Sequence, residues 1–414
     1  MPTIIRADAR SLPLDDRSVD LVVTSPPYFG MRSYQDGGRH YESQIGSEAT
    51  PIEYLDALCA VTRECMRVLK PTGSLWVNLG DKYGGAAWAN KNGTGESGLT
   101  GVVITERTQA MATARSLPGT RQKSLIGIPW RYALRCTDDL GLILRAEVIW
   151  SKPNGLPESV TDRVRRSHEQ WFHFTLQPRY YSAVDEIREA TTRTGLTWAE
   201  RKAAGNRTHA PDNGHATGGP GMAAHTLGKL PDSVWTVATQ PLTVPEYLGA
   251  DHYAAFPTEL PRRIILGWSP RDVCTVCGEG RRPVSDRESV LRGYAKGRVT
   301  NLPNMLDGRQ GARRASAITV TGYACACPDV SAASTPGVVV DPFGGTGTTA
   351  LVATMLGRSG ITVDASADYC RIAQWRCHEA KERARAAGLD PDAVSKIKPP
   401  GRDQGDLFAE DGAA

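Results

Sequence analysis

Apolar residues recur along this chain with two periods, and the alternation between them gives its first structural outline. Short β-rich runs at 4–8, 19–23, 74–81, 142–150, 168–175, 233–237, 337–340 and 360–363 read as strands. Between them the period lengthens. In 51–69, Ile52, Leu55, Leu58, Cys59, Thr62, Met66 and Leu69 recur at three- and four-residue steps, the mark of an amphipathic helix. Pro51 suits its first turn, and Lys70-Pro71-Thr72-Gly73 is expected to end it. Further helices are predicted over 128–134, 258–267, 349–356 and 367–387. Strands alternating with helices predict an α/β fold built on a doubly wound sheet.

Two of these strands run into unusual turns. After Val19-Asp20-Leu21-Val22-Val23 comes Thr24-Ser25-Pro26-Pro27-Tyr28-Phe29-Gly30, where two prolines remove backbone donors and fix φ. The product is a rigid hook carrying a hydroxyl, carbonyls and an aromatic ring at a strand's carboxyl end, the end at which open α/β sheets bind ligands. After Val338-Val339-Val340 comes Asp341-Pro342-Phe343-Gly344-Gly345-Thr346-Gly347-Thr348, then a helix, then a strand ending in Asp364. Glycines allow close approach of backbone to ligand, and an acid at the next strand's end is placed to bind ribose hydroxyls. The turn has no Gly-Lys-Ser/Thr element, which argues against a phosphate-binding loop and for an adenosine-containing cofactor. Asp8 stands at a strand's carboxyl end as well and could meet a ligand amine.

The periodicity fails in two places. Residues 83–122, rich in Gly, Ala, Ser and Thr, read as a long mobile loop of the kind that forms lids or binding loops. Residues 183–230 show no pattern, and 206–228 have the composition of an insertion.

Composition adds a third feature. A hydrophobic content of 40% and a charged content of 23% are those of a soluble globular protein, and no stretch is long and apolar enough to span a bilayer. Nine cysteines without a secretory signal point to free thiols or metal ligands in a reducing compartment, with the cytoplasm as the expected location. Four of them form two close pairs, Cys274-x-x-Cys277-Gly278 and Cys325-x-Cys327-Pro328, the first with the spacing of a zinc knuckle. A structural zinc held by Cys274, Cys277, Cys325 and Cys327 is the expectation. Between the pairs, residues 278–324 hold nine basic residues against four acids, an excess larger than the net +4 of the whole chain. Arg281, Arg282, Arg292, Lys296, Arg298, Arg309, Arg313 and Arg314 are therefore candidates for contact with phosphates.

These motifs together resemble the cytosine-N4 and adenine-N6 DNA methyltransferases. The matching residues are Asp8, Thr24 to Tyr28, His252-Tyr253-Ala254-Ala255-Phe256-Pro257, Asp341-Pro342-Phe343-x-Gly345-x-Gly347 and Asp364. The resemblance covers most of 1–182 and 231–381. It implies that Asp8, His252, Phe256, Asp341, Phe343, Gly345, Gly347, Thr348 and Asp364 bind S-adenosylmethionine, and that Ser25, Pro26, Pro27 and Tyr28 hold the target base. The hook precedes the cofactor turn, as in the β subgroup, which implies a circularly permuted Rossmann-like methyltransferase sheet. The implied organisation is a catalytic half over 1–182, a variable target-recognition region over 183–230, and a cofactor-side strand and helix over 231–270. A basic, zinc-ribbon-like insertion over 271–330, a cofactor-binding half over 331–387 and a disordered tail over 388–414 complete it.

Chemistry agrees with that reading. An exocyclic base amine is conjugated with its ring and is a poor nucleophile. Accepting its N–H groups at the Ser25 hydroxyl and the Pro26 carbonyl favours a pyramidal nitrogen whose lone pair can attack a sulfonium methyl. The base must leave the duplex to be reached, and Tyr28 offers a stacking face for it. No Pro-Cys pair is present, which excludes the cysteine nucleophile that methylation at cytosine C5 needs. Serine at 25, where adenine-specific enzymes usually carry aspartate, favours cytosine N4 over the alternative, adenine N6. A non-catalytic, zinc-stapled DNA-binding protein on the same scaffold is a reading of a different class. Gln404-Gly405-Asp406-Leu407-Phe408 resembles peptides that dock on the bacterial replication sliding clamp.

Overall fold

The computed structural model describes residues 1–30, 44–84, 123–155, 157–189, 229–248, 255–295, 298–301, 313–327 and 331–391. For 35–36, 39–40 and the strand residues between 285 and 320 it describes the backbone alone. His252, Lys296, Arg309, the Gln404-to-Phe408 peptide, and most of the predicted loop, recognition region and tail lie outside the described residues.

An eight-stranded sheet organises the chain. In chain order its elements are β1 (Thr3–Arg6), β2 (Val19–Thr24), α1 (Pro51–Val68), β3 (Leu69–Leu79), α2 (Ile128–Asp138), β4 (Ile143–Ser151), β5 (His168–Thr175) and β6 (Val234–Thr236). They continue with α3 (Glu259–Trp268), β7 (Val338–Asp341), α4 (Thr348–Met355), β8 (Ser359–Asp364), α5 (Ala367–His378) and α6 (Ala380–Ala387). The spatial order is β1-β8-β7-β2-β3-β5-β4-β6. The chain's last two strands therefore lie between its first two. Neighbours from β1 across to β3 are parallel, while β5 runs antiparallel to both β3 and β4. The sheet is mixed, which the strand periodicity alone did not reveal.

Side-chain alternation along each strand feeds two cores. Val22, Leu75, Val77 and Val340 face the layer of α1 and α2, with Tyr54, Leu58, Val61, Ile128 and Tyr132. Leu21, Val23, Trp76 and Val339 face the layer of α3 and α4, with Leu260, Ile264, Leu351 and Val352. Helices on both faces make the fold doubly wound.

Local chemistry explains most boundaries and corrects several expected ones. Thr50 and Glu53 form a reciprocal capping box at the start of α1, with Pro51 in its first turn. Ile52, on the expected apolar stripe, is 54% exposed instead, because the buried face is set by Pro51, Tyr54, Leu58, Val61, Cys65 and Val68 and Ile52 falls outside it. Lys70–Gly73 does not separate helix from strand: β3 begins at Leu69, and the pairing with β2 jumps from Val19↔Leu69 to Leu21↔Ser74. The extra residues are anchored by Asp20, which interrupts the apolar run of β2. Its carboxylate pairs with Lys70 Nζ at 2.8 Å and accepts the Val338 N–H at 2.8 Å, tying the starts of β3 and β7 together. The predicted closing helix over 367–387 is two helices, broken at Glu379, whose backbone is extended (φ −71°, ψ 120°).

Beyond β6 the chain makes a separate unit. Asp272–Cys274 pairs with Ser334–Pro336, and Arg282–Ala295, Arg298–Asn301 and Arg313–Ala324 form a three-stranded antiparallel arm. Its base is held against the body by Tyr181, whose hydroxyl donates to the Arg281 carbonyl at 3.1 Å, and by a hydrogen bond from Tyr323 to Glu186.

Candidate active site

The carboxyl ends of four consecutive parallel strands, β1, β8, β7 and β2, carry Asp8, Asp364, the glycine-rich turn and the hook. From β7 the chain continues to β8 on one side, and from β2 to β3 on the other, so the boundary between β7 and β2 is a topological switch point. Such a point leaves a crevice outside the strand ends. The hook leaves β2 and the glycine-rich turn leaves β7, one on each side of that boundary.

Asp341 joins the two. Its carboxylate is 1% exposed, accepts the Thr24 hydroxyl at 2.7 Å and the Thr349 hydroxyl at 2.8 Å, and takes the Phe343 N–H at 3.1 Å. Burial pushes its pKa up to about 6, against the pull of those donors. The sequence reading gave Asp341 to the cofactor. In the fold its carboxylate is enclosed and ties the hook to the turn. Thr348, read likewise as a cofactor residue, is closed in as well. Its hydroxyl is buried and accepts from Arg376 at 2.6 Å, and the Thr346 hydroxyl accepts from the same guanidinium at 3.0 Å. Arg376 is itself buried against Glu382 at 2.7 Å. This pair forms the floor behind the turn.

The turn itself is built for close backbone approach. Gly345 and Gly347 have φ of +50° and +75°, a region that favours glycine. A Cβ on Gly344, which the motif leaves unspecified, would stand 1.5 Å from the Thr362 hydroxyl. Asp364, at the end of β8, accepts the Gly345 N–H at 2.9 Å and the Ser366 N–H at 2.9 Å, so acid and turn are one unit. Phe343 packs against the core beneath the turn. Asp8 lies beyond the end of β1, next to β8, with its carboxylate gripped by Arg10 at 2.6 Å; that bond holds its pKa below the usual carboxylate range. Phe256 stands edge-on to Trp171, 5.8 Å between ring centres, on the α3 and α4 face of the sheet.

In the hook, Pro26 is buried and Ser25, Pro27 and Tyr28 are half-buried. The Tyr54 hydroxyl donates to the Pro27 carbonyl at 2.8 Å, and Gly30 N–H to the Gly46 carbonyl at 2.8 Å, which fixes the hook's path. The edge of the Tyr28 ring lies against Gly80, where a Cβ would come within 2.7 Å of Cε2. Its hydroxyl donates to Glu169 Oε2 at 2.7 Å and accepts from Asn78 Nδ2 at 2.9 Å. Tyr28 is therefore part of a polar network as well as a ring. Burial keeps its phenol protonated far above the ordinary range.

Asn78, Glu169 and Lys152 were not marked by any motif. Asn78 ends β3, Glu169 lies near the start of antiparallel β5, and Lys152 follows β4. Only the cross-strand register brings them to the same edge as Ser25. Asp81 is a further unmarked carboxylate: it accepts the Gly127 and Ile128 N–H groups at 3.0 and 3.1 Å and so caps α2.

In the insertion, the sulfurs of Cys274, Cys277 and Cys325 lie within 4.8 Å of one another. The N–H groups of Cys277 and Val276 draw the Cys274 thiol down to about 6. Cys327 does not join them. The Cys-x-x-Cys pair curls back through a turn closed by Gly278 at φ +71°, and Cys325 lies just past the end of the Arg313–Ala324 strand. Of the basic candidates, Arg281 is half-buried and donates to the Ala332 carbonyl, which braces the base of the arm. Arg282 is exposed. The backbone pairs Arg292 with Arg313, Leu291 with Arg314 and Ala295 with Arg298, which gathers Arg292, Arg298, Arg313 and Arg314 at the far end.

Fold and site thus define an α/β protein with a glycine-lined turn and a proline hook on either side of the switch point of a mixed sheet. Residues 19–275 and 330–375 match the family model described as DNA methylase, and this chain belongs to that family. It is 35% identical over 267 residues to the type II methyltransferase M.Cfr9I of Citrobacter freundii, covering 64% of this chain and 71% of that one. It is 34% identical over 271 residues to the type II methyltransferase M.SmaI of Serratia marcescens, covering 64% and 75%. Among solved structures it is similar to the PvuII DNA methyltransferase (cytosine-N4-specific), with 15% identity, a TM-score of 0.48, and coverage of 95% of this chain and 91% of that one. Among the described residues no helix is long and apolar enough to cross a membrane.

Proposed function

We propose that this protein is a site-specific methyltransferase of a restriction-modification pair, transferring a methyl group from S-adenosylmethionine to the N4 amine of cytosine in duplex DNA. The observation that carries the proposal is the joining of hook and turn across the β7–β2 boundary through Asp341. Relatives that bear the name type II methyltransferase support the restriction-modification context. Placement of the last two strands between the first two fits a circular permutation of the methyltransferase sheet.

The turn fits the cofactor. Gly344, Gly345 and Gly347 leave a side-chain-free surface, and Asp364 is bonded to that surface at the position of a ribose-binding acid. When bound there, S-adenosylmethionine supplies an electrophilic methyl on a sulfonium. The chain's own contribution is orientation. Ser25 Oγ and the Pro26 carbonyl accept the two amine hydrogens of the base, turning the nitrogen lone pair toward the crevice. The hook cannot relax, because two prolines, Tyr54 and the buried Asp341 hold it. Positioning of this kind supplies much of the acceleration for an in-line displacement. Serine favours cytosine at this position, and the finding of N6-methyladenine would reverse that assignment.

We further assign the three gathered thiols to a structural zinc. Tetrahedral zinc–thiolate bonds of about 2.3 Å place sulfurs about 3.8 Å apart, so thiols within 4.8 Å need little movement. Cys327 is the candidate fourth donor. The arm carries the arginines that would meet phosphates.

The test is transfer of label from methyl-labelled cofactor to unmethylated plasmid DNA by the purified protein. Ser25→Ala should reduce it by on the order of 100-fold with cofactor affinity unchanged. Equal transfer by the variant would remove Ser25 from the chemistry.

A further inference from the structure

Around the hook lies a chain of hydrogen bonds whose direction is fixed. Ser25 Oγ donates toward Tyr28 Oη over 3.5 Å, and Tyr28 Oη donates to Glu169 Oε2 at 2.7 Å. Asn78 Nδ2 donates to Tyr28 Oη at 2.9 Å and to Glu169 Oε2 at 2.8 Å. Lys152 Nζ pairs with the other oxygen, Glu169 Oε1, and sits 4.2 Å over the centre of the Trp150 ring. The Asn78 amide is 1% exposed, and its nitrogen is the atom toward the carboxylate; flipping it would set oxygen against oxygen.

The polarity follows from the inventory of donors. A carboxylate paired with a lysine has no proton to give, so the phenol must donate to it. The phenol oxygen then has two lone pairs, one taken by Asn78 and one aimed at by the Ser25 hydroxyl. One Ser25 lone pair faces Asn78 Nδ2 at 3.5 Å, and the other is left for the crevice. Every proton along Ser25, Tyr28 and Glu169 thus points away from the place where the base amine would sit.

We propose that Glu169 is the terminal proton acceptor of the reaction, reached from the base amine through Ser25 and Tyr28. This rests on the reading of the hook as an amine-binding site. When the new N–C bond forms and the S–C bond breaks, the sulfonium leaves as a neutral thioether and the amine nitrogen carries one proton too many. That proton passes to Ser25 Oγ as the serine's proton passes to Tyr28 Oη and the phenol's proton to Glu169 Oε2. The carboxylate ends neutral, and both hydroxyls are restored. Glu169 is 15% exposed, so it can return the proton to solvent between turnovers. Because burial holds the phenol protonated, Tyr28 relays and does not store charge. The Ser25–Tyr28 contact is long for an O–H···O bond, as contacts awaiting substrate often are, and it is the step that must tighten.

Glu169 and Tyr28 act through Ser25 and are positioning residues, so the test needs a readout that packing alone would not move. Single-turnover transfer to unmethylated plasmid DNA is followed from pH 6.5 to 9 for the wild type, Glu169→Gln and Tyr28→Phe, with cofactor affinity by calorimetry and melting temperature measured in parallel. Besides Lys152, the groups facing this carboxylate and phenol are Tyr54 from α1 and His168, beside Glu169 in β5. The proposal expects each variant to lose on the order of 100-fold in rate, with affinity and melting temperature kept. It also expects the double variant to be no worse than either single one, and the variant rates to climb with pH as solvent takes over. If Glu169→Gln fails to fold, Tyr28→Phe carries the same test. Wild-type rates in both variants would overturn the relay. So would rate losses that track weaker cofactor binding or a lower melting temperature with an unchanged pH profile. A wild type that methylates no DNA would overturn the amine reading and the relay together.

Discussion

Asp341 is a carboxylate closed in by three donors, and its protonation is coupled to folding. Its pKa rises from an ordinary 3.8 to about 6 on burial, so the folded protein holds the proton more tightly than the unfolded chain. The stability this contributes is present in full below about pH 4 and is lost as pH rises through about 6. Two pH units correspond to about 3 kcal/mol. Denaturant unfolding of the wild type and Asp341→Asn from pH 4 to 7 should show the wild type losing up to about that amount relative to the variant. Parallel profiles would mean that Asp341 titrates normally. Some residue positions were legible before folding: Ser25, Gly345, Gly347 and Asp364 stand at the strand ends and turn where their motifs put them. Asp341 was legible as a member of the turn, but not as a buried joint, because its partner Thr24 is 317 residues away. Asn78, Glu169 and Lys152 were silent for a similar reason: each is an ordinary polar residue at a strand end until the sheet is assembled.

Element positions depend on small residues as much as on large ones. Gly80 follows β3 where the Tyr28 ring edge lies, and any side chain there would meet it at 2.7 Å. Gly80→Ala should leave the melting temperature within a few degrees and cut methyl transfer by about 10- to 100-fold, since displacing a positioned group by an ångström has that effect. An unaffected rate would show that the ring can move without consequence. The strands were legible from period and β-propensity, most sharply in 168–175, which matches β5 residue for residue. Their direction was not. Antiparallel β5 presents its first residues, Glu169 among them, at the carboxyl end of its neighbour, and a strand's own sequence carries no mark of that.

At the scale of the whole molecule, a body that would do chemistry carries an arm that would hold DNA. From Arg282 to Arg292 the arm spans about 35 Å at the usual strand rise, enough to take its terminal arginines well away from the crevice. Replacing Arg313 and Arg314 with glutamine should weaken DNA binding more at low than at high salt and lower the slope of log affinity against log salt by about 1.8. An unchanged slope would make the arm a solvated surface. Cys274→Ser should lose bound zinc by elemental analysis, and a folded wild type free of metal would remove that assignment. The basic excess and the cysteine pairs were legible in the chain, while the distance of Cys327 from the three gathered thiols and the inward turn of Arg281 depend on backbone paths that composition does not set. The central claim, transfer of a methyl group to cytosine N4, is tested most directly by mass spectrometry of nucleosides from the DNA of cells expressing this protein and of matched cells without it. N4-methylcytosine present only in the expressing cells is the predicted result; N6-methyladenine in its place, or no modified base at all, would contradict it.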